Sequence, residues 1–519
     1  MALSNMKDRS WRNAFQMFFH PRVITMLFLG FSAGIPLLLI FSSLSLWLRE
    51  AGTDRSAVTF FSWAALAYSF KFIWAPLVDR VPIPLLSRWL GRRRGWLLLA
   101  QLSVMSAISC MAMVDPAADS RSLTSMALAA VFLGFSSATQ DIVIDAYRIE
   151  SANPDLQAMM SSFYIAGYRI GMIVAGAGAL FLASYFGTEP EAYSYAAWRS
   201  TYLIMALSLS VGVITTLMIE EPEKNRIDVY VYSVLDYFRF LLLFITGALG
   251  FISTFLWMTD LVANLDSSLG EHSAHGPVIG FFIEAGRLSI AALVAVIIAS
   301  ISVRAGLVNR RMLSDCYLAP LTDFFRRYGL KLSFLLLALI GFYRISDIVL
   351  GVIANVFYQD LGFSKTEIAA VVKTFGLVMT IAGGFLGGIL ATHYGVMRIL
   401  FLGALLTVLT NLLFVYQAYA GHDLAVLYFV ISADNLTAGL AGAAFVAFLS
   451  SLTSVSFTAV QYALFSSLMT LIPKLLGGYS GTMAEAIGYS NFFLVASLMG
   501  VPVLVLVRLV EKELSLSDR

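Results

Sequence analysis

The stretch SSATQDIVIDAYR, residues 136–148, sets Gln140, Asp141, Asp145 and Arg148 into an otherwise apolar run. Asp141, Asp145 and Arg148 follow one another at spacings of four and three, so they share one face of a helix. A charge at hydrocarbon depth costs about 2.5–3.5 kcal/mol on insertion scales, so charges kept there face a bundle interior or a polar path. The same chemistry recurs along the chain. Lys71 lies in LAYSFKFIWAP, Arg169 in AGYRIGM, Arg344 and Asp347 in FYRISD, Lys373 in VVKTFG and Asp434 in SADNLTAG. The cations Lys71, Arg169, Arg344 and Lys373 equal in number the anions Asp141, Asp145, Asp347 and Asp434, as expected if they pair inside a bundle. Gln140, Asn435 and Gln461 add neutral polar groups. Lysine and arginine suit an anionic solute, and a buried carboxylate can carry a proton. Asp141, Asp347 and Asp434 are the candidates for that carriage, and the sequence does not choose among them.

Depth separates two roles. Arg148 is close enough to a helix end to snorkel. Asp145 falls near the level of Asp79 and Arg80, so Asp79, Arg80, Asp145 and Arg148 form a candidate charge gate between spans. Gln140 and Asp141 lie about 10 Å deeper than Arg148, where a solute pathway explains them better. Arg344 and Asp347 can pair on one helix, which packing explains as well as function does. The five histidines, His20, His272, His275, His393 and His422, fall in loops or at membrane edges, and no nucleophile–histidine–acid set or zinc motif is present. EHSAH, with His272 and His275, lacks the further ligands a metal site needs. The expectation is a chain with no enzyme activity, metal or cofactor, and without the repeated filter loops of a channel.

These side chains must be positioned by membrane helices. Of the 519 residues, 59% are hydrophobic and 13% charged, against about 25% charged in soluble domains. A net charge of +2 gives no reason to expect a nucleic-acid partner. Cys110 and Cys316 fall in a span and a cytosolic segment, and no disulfide is expected between them. With about 20 apolar residues per crossing, about fourteen spans fit, near 23–48, 57–79, 94–114, 123–147, 158–186, 197–219, 238–260, 278–303, 332–358, 367–392, 397–420, 424–450, 457–477 and 485–509. The first reads as a retained span, not a signal peptide. Before it, Trp11, Phe15, Phe18 and Phe19 predict a short helix on the membrane surface. Arg80, Arg88 and Arg92–Arg94 follow the second span and further basic clusters follow the eighth, which predicts both termini in the cytoplasm. The pattern divides into a six-helix half (1–225), linkers with two extra helices (226–330) and a second six-helix half (331–519). APLVDR followed by GRRR in the first half corresponds to GGILATHYG, 387–395, in the second. Duplicated six-helix halves are the layout of major facilitator transporters, with solute held between the halves. The fold class expected is therefore all-α, polytopic, of major facilitator type, and a monomer in the bilayer.

GRRRGW, SATQDIVIDAY, GYRIGM, KTFGL and SFTAVQYAL together resemble the anhydromuropeptide permease (AmpG-type) family, over about 15–225 and 330–510. The resemblance implies a bacterial inner-membrane, proton-driven importer of N-acetylglucosaminyl-1,6-anhydro-N-acetylmuramyl peptides, serving peptidoglycan recycling and, where an inducible β-lactamase exists, its induction. By position it also implies a solute pathway through Lys71, Gln140, Asp141, Arg169, Arg344, Lys373 and Gln461, with an acidic position at Asp434. Trp63, Tyr68, Trp74, Tyr164 and Tyr343 are aromatics that could stack on sugar rings. Some relatives carry two extra spans at the C-terminus, whereas here the extra pair stands between the halves. Related branches move other bulky anions, such as acyl-coenzyme A or siderophore-like compounds, which leaves a second reading of the cargo.

Overall fold

A computed structural model describes residues 16–53, 66–188, 193–222, 232–258, 276–477 and 480–517. Among them every regular element is helical, and twelve helical runs are long and apolar enough to cross a membrane. They coincide with twelve of the expected spans. Of the other two, 57–79 begins outside the described residues, and 278–303 is a helix whose shorter apolar part is Ser289–Arg304. The surface helix expected around 11–19 lies partly outside the described residues. Its visible end is a short turn, Met17–Phe19, in which Phe18 packs between Phe163 and Phe385, 5.4 and 5.8 Å away, rather than lying on a surface.

The helices used below are α1 (Pro21–Leu38), α2 (Ala75–Arg80), α3 (Arg92–Ala112), α4 (Ser120–Ser151), α5 (Pro154–Ile173), α6 (Val234–Trp257), α7 (Gly276–Arg304), α8 (Ala319–Phe342), α9 (Ile345–Asp360), α10 (Gly376–Tyr394), α11 (Val396–Ala420), α12 (Leu424–Leu452) and α13 (Thr458–Gly477). The chain forms two compact units, Met1–Ile227 with Phe324–Arg519, and Asp228–Asp323. Within the smaller unit α6 and α7 pair. Arg287 is buried there, donating to the Phe255 carbonyl at 2.9 Å with its guanidinium 3.8 Å over the Phe255 ring. The sequence reading passed over this charge inside a span.

In the larger unit, glycine decides how closely helices approach. A Cβ added at Gly167 of α5 would stand 1.9 Å from the Leu27 carbonyl oxygen of α1, and one at Gly34 of α1 would stand 2.0 Å from that of Tyr168. Gly30 and Gly171 complete the two small-residue pairs at four-residue spacing. The second half repeats the device where Gly383 and Gly387 of α10 meet the backbone of α12. Pro36 cannot donate to the carbonyl four residues back, and a π turn, Leu39–Ser43, follows it. Ser43 Oγ then donates at 2.8 Å to the Ala175 carbonyl, inside a second π turn, Val174–Gly178. Gly91 and Gly395, corresponding positions of the internal repeat, both have positive φ (90° and 93°) and each immediately precedes a helix, α3 and α11. Both cysteines are free.

Gly167→Ala should lower the thermal stability of the solubilised protein, since overpacking costs about 1–3 kcal/mol and the obstacle is rigid backbone. Gly442→Ala, whose nearest neighbour would be Ile165 Cδ1 at 3.9 Å, should leave it unchanged or raise it. Thermal unfolding followed by size-exclusion chromatography compares the two.

Candidate functional site

The polar face of α4 is built against the second span. That span is interrupted: the helix Leu66–Phe70 ends, a 3-10 turn Lys71–Ile73 intervenes, and α2 restarts with Pro76 in its first turn. The interruption carries Lys71, which is buried with its Nζ 3.8 Å from Asp145 Oδ2. Arg148 Nη2 donates to Asp145 Oδ1 at 3.2 Å. One turn deeper, the Tyr164 hydroxyl donates to Asp141 Oδ1 at 3.4 Å, and the Tyr68 hydroxyl donates to Ser137 Oγ at 2.6 Å. Trp74 Nε1 donates to Thr139 Oγ1 at 3.1 Å. Lys71 thus pairs with Asp145, and its charge also reaches Asp141.

Gln140 is separated from this face. It stands about 100° round the helix from Asp141, fully buried, and neither amide atom has a hydrogen-bond partner among the described residues. Ser136, on the same side, has an unpartnered hydroxyl too. Gln140 and Asp141 therefore point in directions about 100° apart on α4. Tyr343, a candidate for sugar stacking, is buried with its ring 4.3 Å from Phe445 and its hydroxyl on the Leu400 carbonyl, so it is a packing residue. Trp74 is buried against Thr139 and Phe135. Trp63 lies outside the described residues, as do His272 and His275.

At the end of the bundle where α3 begins, the two halves meet. Arg93, with no exposed surface, donates to Asp79 at 2.7 Å, to both carboxylate oxygens of Glu150 at 2.5 and 3.0 Å, to the Val78 carbonyl and, from the other half, to Thr458 Oγ1 at 2.9 Å. Thr458 in turn donates to Glu150. The Asp79 carboxylate also accepts the backbone N–H groups of Ala459 and Val460, at 3.2 and 3.0 Å. It thus caps the first turn of α13, where a carboxylate is favoured by the unpaired N–H groups and the helix dipole. Arg80 stands 5.3 Å over the Phe457 ring. Arg148 donates to Ser450 Oγ at 2.6 Å and lies 5.2 Å over the Tyr462 ring. Asp79, Arg80, Asp145 and Arg148 are therefore all at or beside this junction. Arg93, Glu150 and Thr458 are its missed members: Arg93 reads in the sequence as one of several topological arginines, and Glu150 as lying past the span. Glu221 accepts the backbone N–H groups of Arg93 and Arg94 at 2.8 and 3.0 Å, and burial pushes its carboxyl above its ordinary range despite them.

Gln461 also belongs to this end. Its Oε1 accepts from Arg327 at 2.9 Å and from the Ser454 N–H at 2.7 Å, within the first turn of α13.

In the second half, Arg344 pairs with Asp347 on the same helix as expected. Arg169 of the first half feels both of these charges, yet its one polar contact is Met172 Sδ at 3.9 Å, and it has no carboxylate within ion-pair distance among the described residues. Asp434 lies in the field of Asp347 and has no hydrogen bond or ion pair among the described residues. Lys373 is exposed, on a π-helical segment Ile368–Phe375, and likewise unpaired there. No cluster of metal-binding side chains occurs among the described residues.

Comparison with known proteins fits this architecture. A sequence profile described as Major Facilitator Superfamily matches residues 26–350. The chain is 29% identical over 494 residues to "Putative transporter AmpG 4" of Rickettsia felis, covering 95% of this chain and 97% of that one. It is also 29% identical over 492 residues to the "Anhydromuropeptide permease" of Escherichia coli (strain K12), covering 95% and 80%. The proton:xylose symporter XylE shares the fold with a TM-score of 0.55 at 13% identity, over 95% of this chain and 94% of that one. FucP, solved in the outward conformation, does so with 0.54 at 11%, over 95% and 99%.

Removing the guanidinium of Arg93 strands two buried carboxylates. Arg93→Met should cost about 3–5 kcal/mol, the usual penalty for breaking a buried ion cluster. Thr458→Val, which removes one neutral partner, should cost about 1–3 kcal/mol. Thermal unfolding of the two purified variants tests the ranking, and equal losses would contradict it.

Proposed function

The chain belongs to the Major Facilitator Superfamily, and from that premise we propose that it imports anhydromuropeptides across the bacterial inner membrane by alternating access, in symport with protons. The observation that carries this reading is the similarity to the anhydromuropeptide permease across 95% of the chain. Their chemistry supports it. A sugar bearing an acidic peptide offers carboxylates, and Lys71, Arg169, Arg344 and Lys373 are the cations to meet them. Arg169 and Arg344 come from different halves and lie in each other's field, so one anionic group of the cargo can engage both. Asp141, Asp347 and Asp434 are the carriers to consider for the coupling proton. Asp79, Arg80, Asp145 and Arg148, joined by Arg93 and Glu150, hold the gate. The arginine-rich loops put that gate, and both termini, on the cytoplasmic side by the positive-inside rule. The closed junction at that end corresponds to an outward-open or occluded state.

Uptake of radiolabelled anhydromuropeptide into vesicles, with acetyl-coenzyme A as competitor, tests the cargo. Saturable uptake that acetyl-coenzyme A leaves untouched supports the proposal; uptake abolished by it transfers the assignment to acyl-coenzyme A. One proton moving inward through 100 mV supplies about 2.3 kcal/mol, roughly a fifty-fold solute gradient. A protonophore should therefore collapse accumulation, and undiminished accumulation would refute symport. Asp141→Asn should reduce transport per folded molecule at least tenfold (about 1.4 kcal/mol) while leaving the folded yield near that of the parent. Parallel loss of both would make Asp141 a packing residue.

A further inference from the structure

Between α2 and α3 the chain makes an excursion, 81–91, with sequence VPIPLLSRWLG. It is firmly tied at its base. Trp96 Nε1 donates to the Val81 carbonyl at 2.7 Å, the Ile83 N–H donates to Ser87 Oγ at 2.8 Å, and Arg92 donates to the Asp79 carbonyl. Its tip is different. Leu85 has φ 67°, the only positive φ of a non-glycine residue among those described. A side chain in that region is strained and persists only where its surroundings hold it. The conformation gives Leu85 64% exposure, and Trp89, one turn along the helix Leu86–Leu90, 79% exposure. Arg88 is exposed between them. Two large apolar side chains one helical turn apart, with a cation beside them, stand at the polar end of a membrane-spanning helix whose first turn adds the half-buried Arg92 and Arg94 on either side of the buried Arg93. Tryptophan prefers the headgroup level, and clustered basic residues at that level attract anionic lipid.

We propose that loop 81–91 is an anionic-phospholipid site. Leu85 and Trp89 seat among the headgroups, Arg88 holds a lipid phosphate, and the seated loop keeps the adjoining Asp79–Arg93–Glu150–Thr458 cluster closed. The link is short. Arg92 holds the Asp79 carbonyl, and Arg93, next in the chain, holds the Asp79 carboxylate and Thr458. A displacement of the loop is thereby passed to the contact between halves. Charge decides for lipid over a cytosolic partner: Arg88, the exposed cation of the loop, has no carboxylate within ion-pair distance among the described residues, and the carboxylates nearest the loop in space, Asp79 and Glu221, are buried and face Arg93 and the N–H groups of Arg93 and Arg94.

The full chain, reconstituted in vesicles of phosphatidylcholine with or without phosphatidylglycerol, provides the test. A fluorophore on Trp89→Cys should be quenched by brominated lipid and protected from an aqueous quencher, with quenching greater when phosphatidylglycerol is present. In a background of Ala459→Cys, buried beside Asp79, aqueous maleimide should label the Leu85→Ser, Trp89→Ser double variant several-fold faster than the parent in phosphatidylglycerol vesicles, and equally fast in pure phosphatidylcholine. Arg88→Glu, which alters an exposed side chain, should give the same acceleration and covers the case in which the double variant fails to fold. The proposal is overturned by quenching from water alone, by labelling rates indifferent to lipid and to Arg88→Glu, or by Trp89→Cys cross-linking two copies of the chain.

Discussion

The Arg93 guanidinium lies between two carboxylates with no exposed surface, and the way its bonds are shared out is the constraint on which the proposed opening of this bundle depends. Asp79, Arg93 and Glu150 all come from the first half, so both ion pairs lie within it. Across to the second half, the partners seen among the described residues are neutral: Asp79 takes the N–H groups of Ala459 and Val460, and Arg93 takes the Thr458 hydroxyl. Arg80 and Arg148 follow suit, on the Phe457 ring, Ser450 and the Tyr462 ring. Separating two buried opposite charges leaves each uncompensated, at several kcal/mol. Separating a charge that keeps its own counter-ions from a hydroxyl or a helix terminus that can turn to water costs far less. A junction bonded in this way suits the gate proposed for it.

Within a half the packing has the opposite character. α1 and α5 touch through Gly30, Gly34, Gly167 and Gly171, backbone against backbone, with no room for a methyl group. Such contacts neither stretch nor slide, because close-packed interiors are bistable rather than compliant. Where α10 meets α5 across the halves, the atom nearest a Cβ at Gly388 would be the Ser162 hydroxyl, with the Ala158 carbonyl farther off at 3.4 Å, and Phe18 fills the space between Phe163 and Phe385. Side chains can rotate out of such a contact. Rigid halves and a yielding seam are what rigid-body rocking requires.

Much of this was legible in the sequence because the bilayer penalises charge so heavily. Every ionisable residue kept at depth had to be there for a reason, so Asp141, Asp145 and Arg344 with Asp347 stood out by type alone. The twelve long apolar runs and the repeat at Gly91 and Gly395 were visible on the same physical grounds. What escaped was rotation and company. One step along a helix turns a side chain by about 100°, so Gln140, next to Asp141 in the chain, does not share the face that meets Lys71 and Tyr164. Arg93 sat in a run of arginines that topology already explained, which hid its buried partners. Gln461 was placed by analogy of motif, while its actual depth depended on where α13 begins. Arg287 was masked by the strong hydropathy around it.

A division follows from how fully each polar group is bonded. At the junction end nearly every donor is spent: Arg93 on four partners, Arg148 on Asp145, Ser450, Ser161 and Gln157. Deeper in, the bonds thin out. Asp141 has one hydrogen bond at 3.4 Å, Arg169 has a sulfur at 3.9 Å, and Asp434 and Lys373 have neither hydrogen bond nor ion pair among the described residues. Fully satisfied networks fix a structure, whereas polar groups held at depth with few partners cost stability and persist where they serve a further purpose. Asp145 belongs to both sets, for its two oxygens are divided between Lys71 and Arg148. Any change in the charge around Lys71 alters what Asp145 can offer Arg148, and Arg148 is the residue that reaches Ser450 in the other half. One carboxylate therefore ties the polar interior to the junction, along a single face of α4.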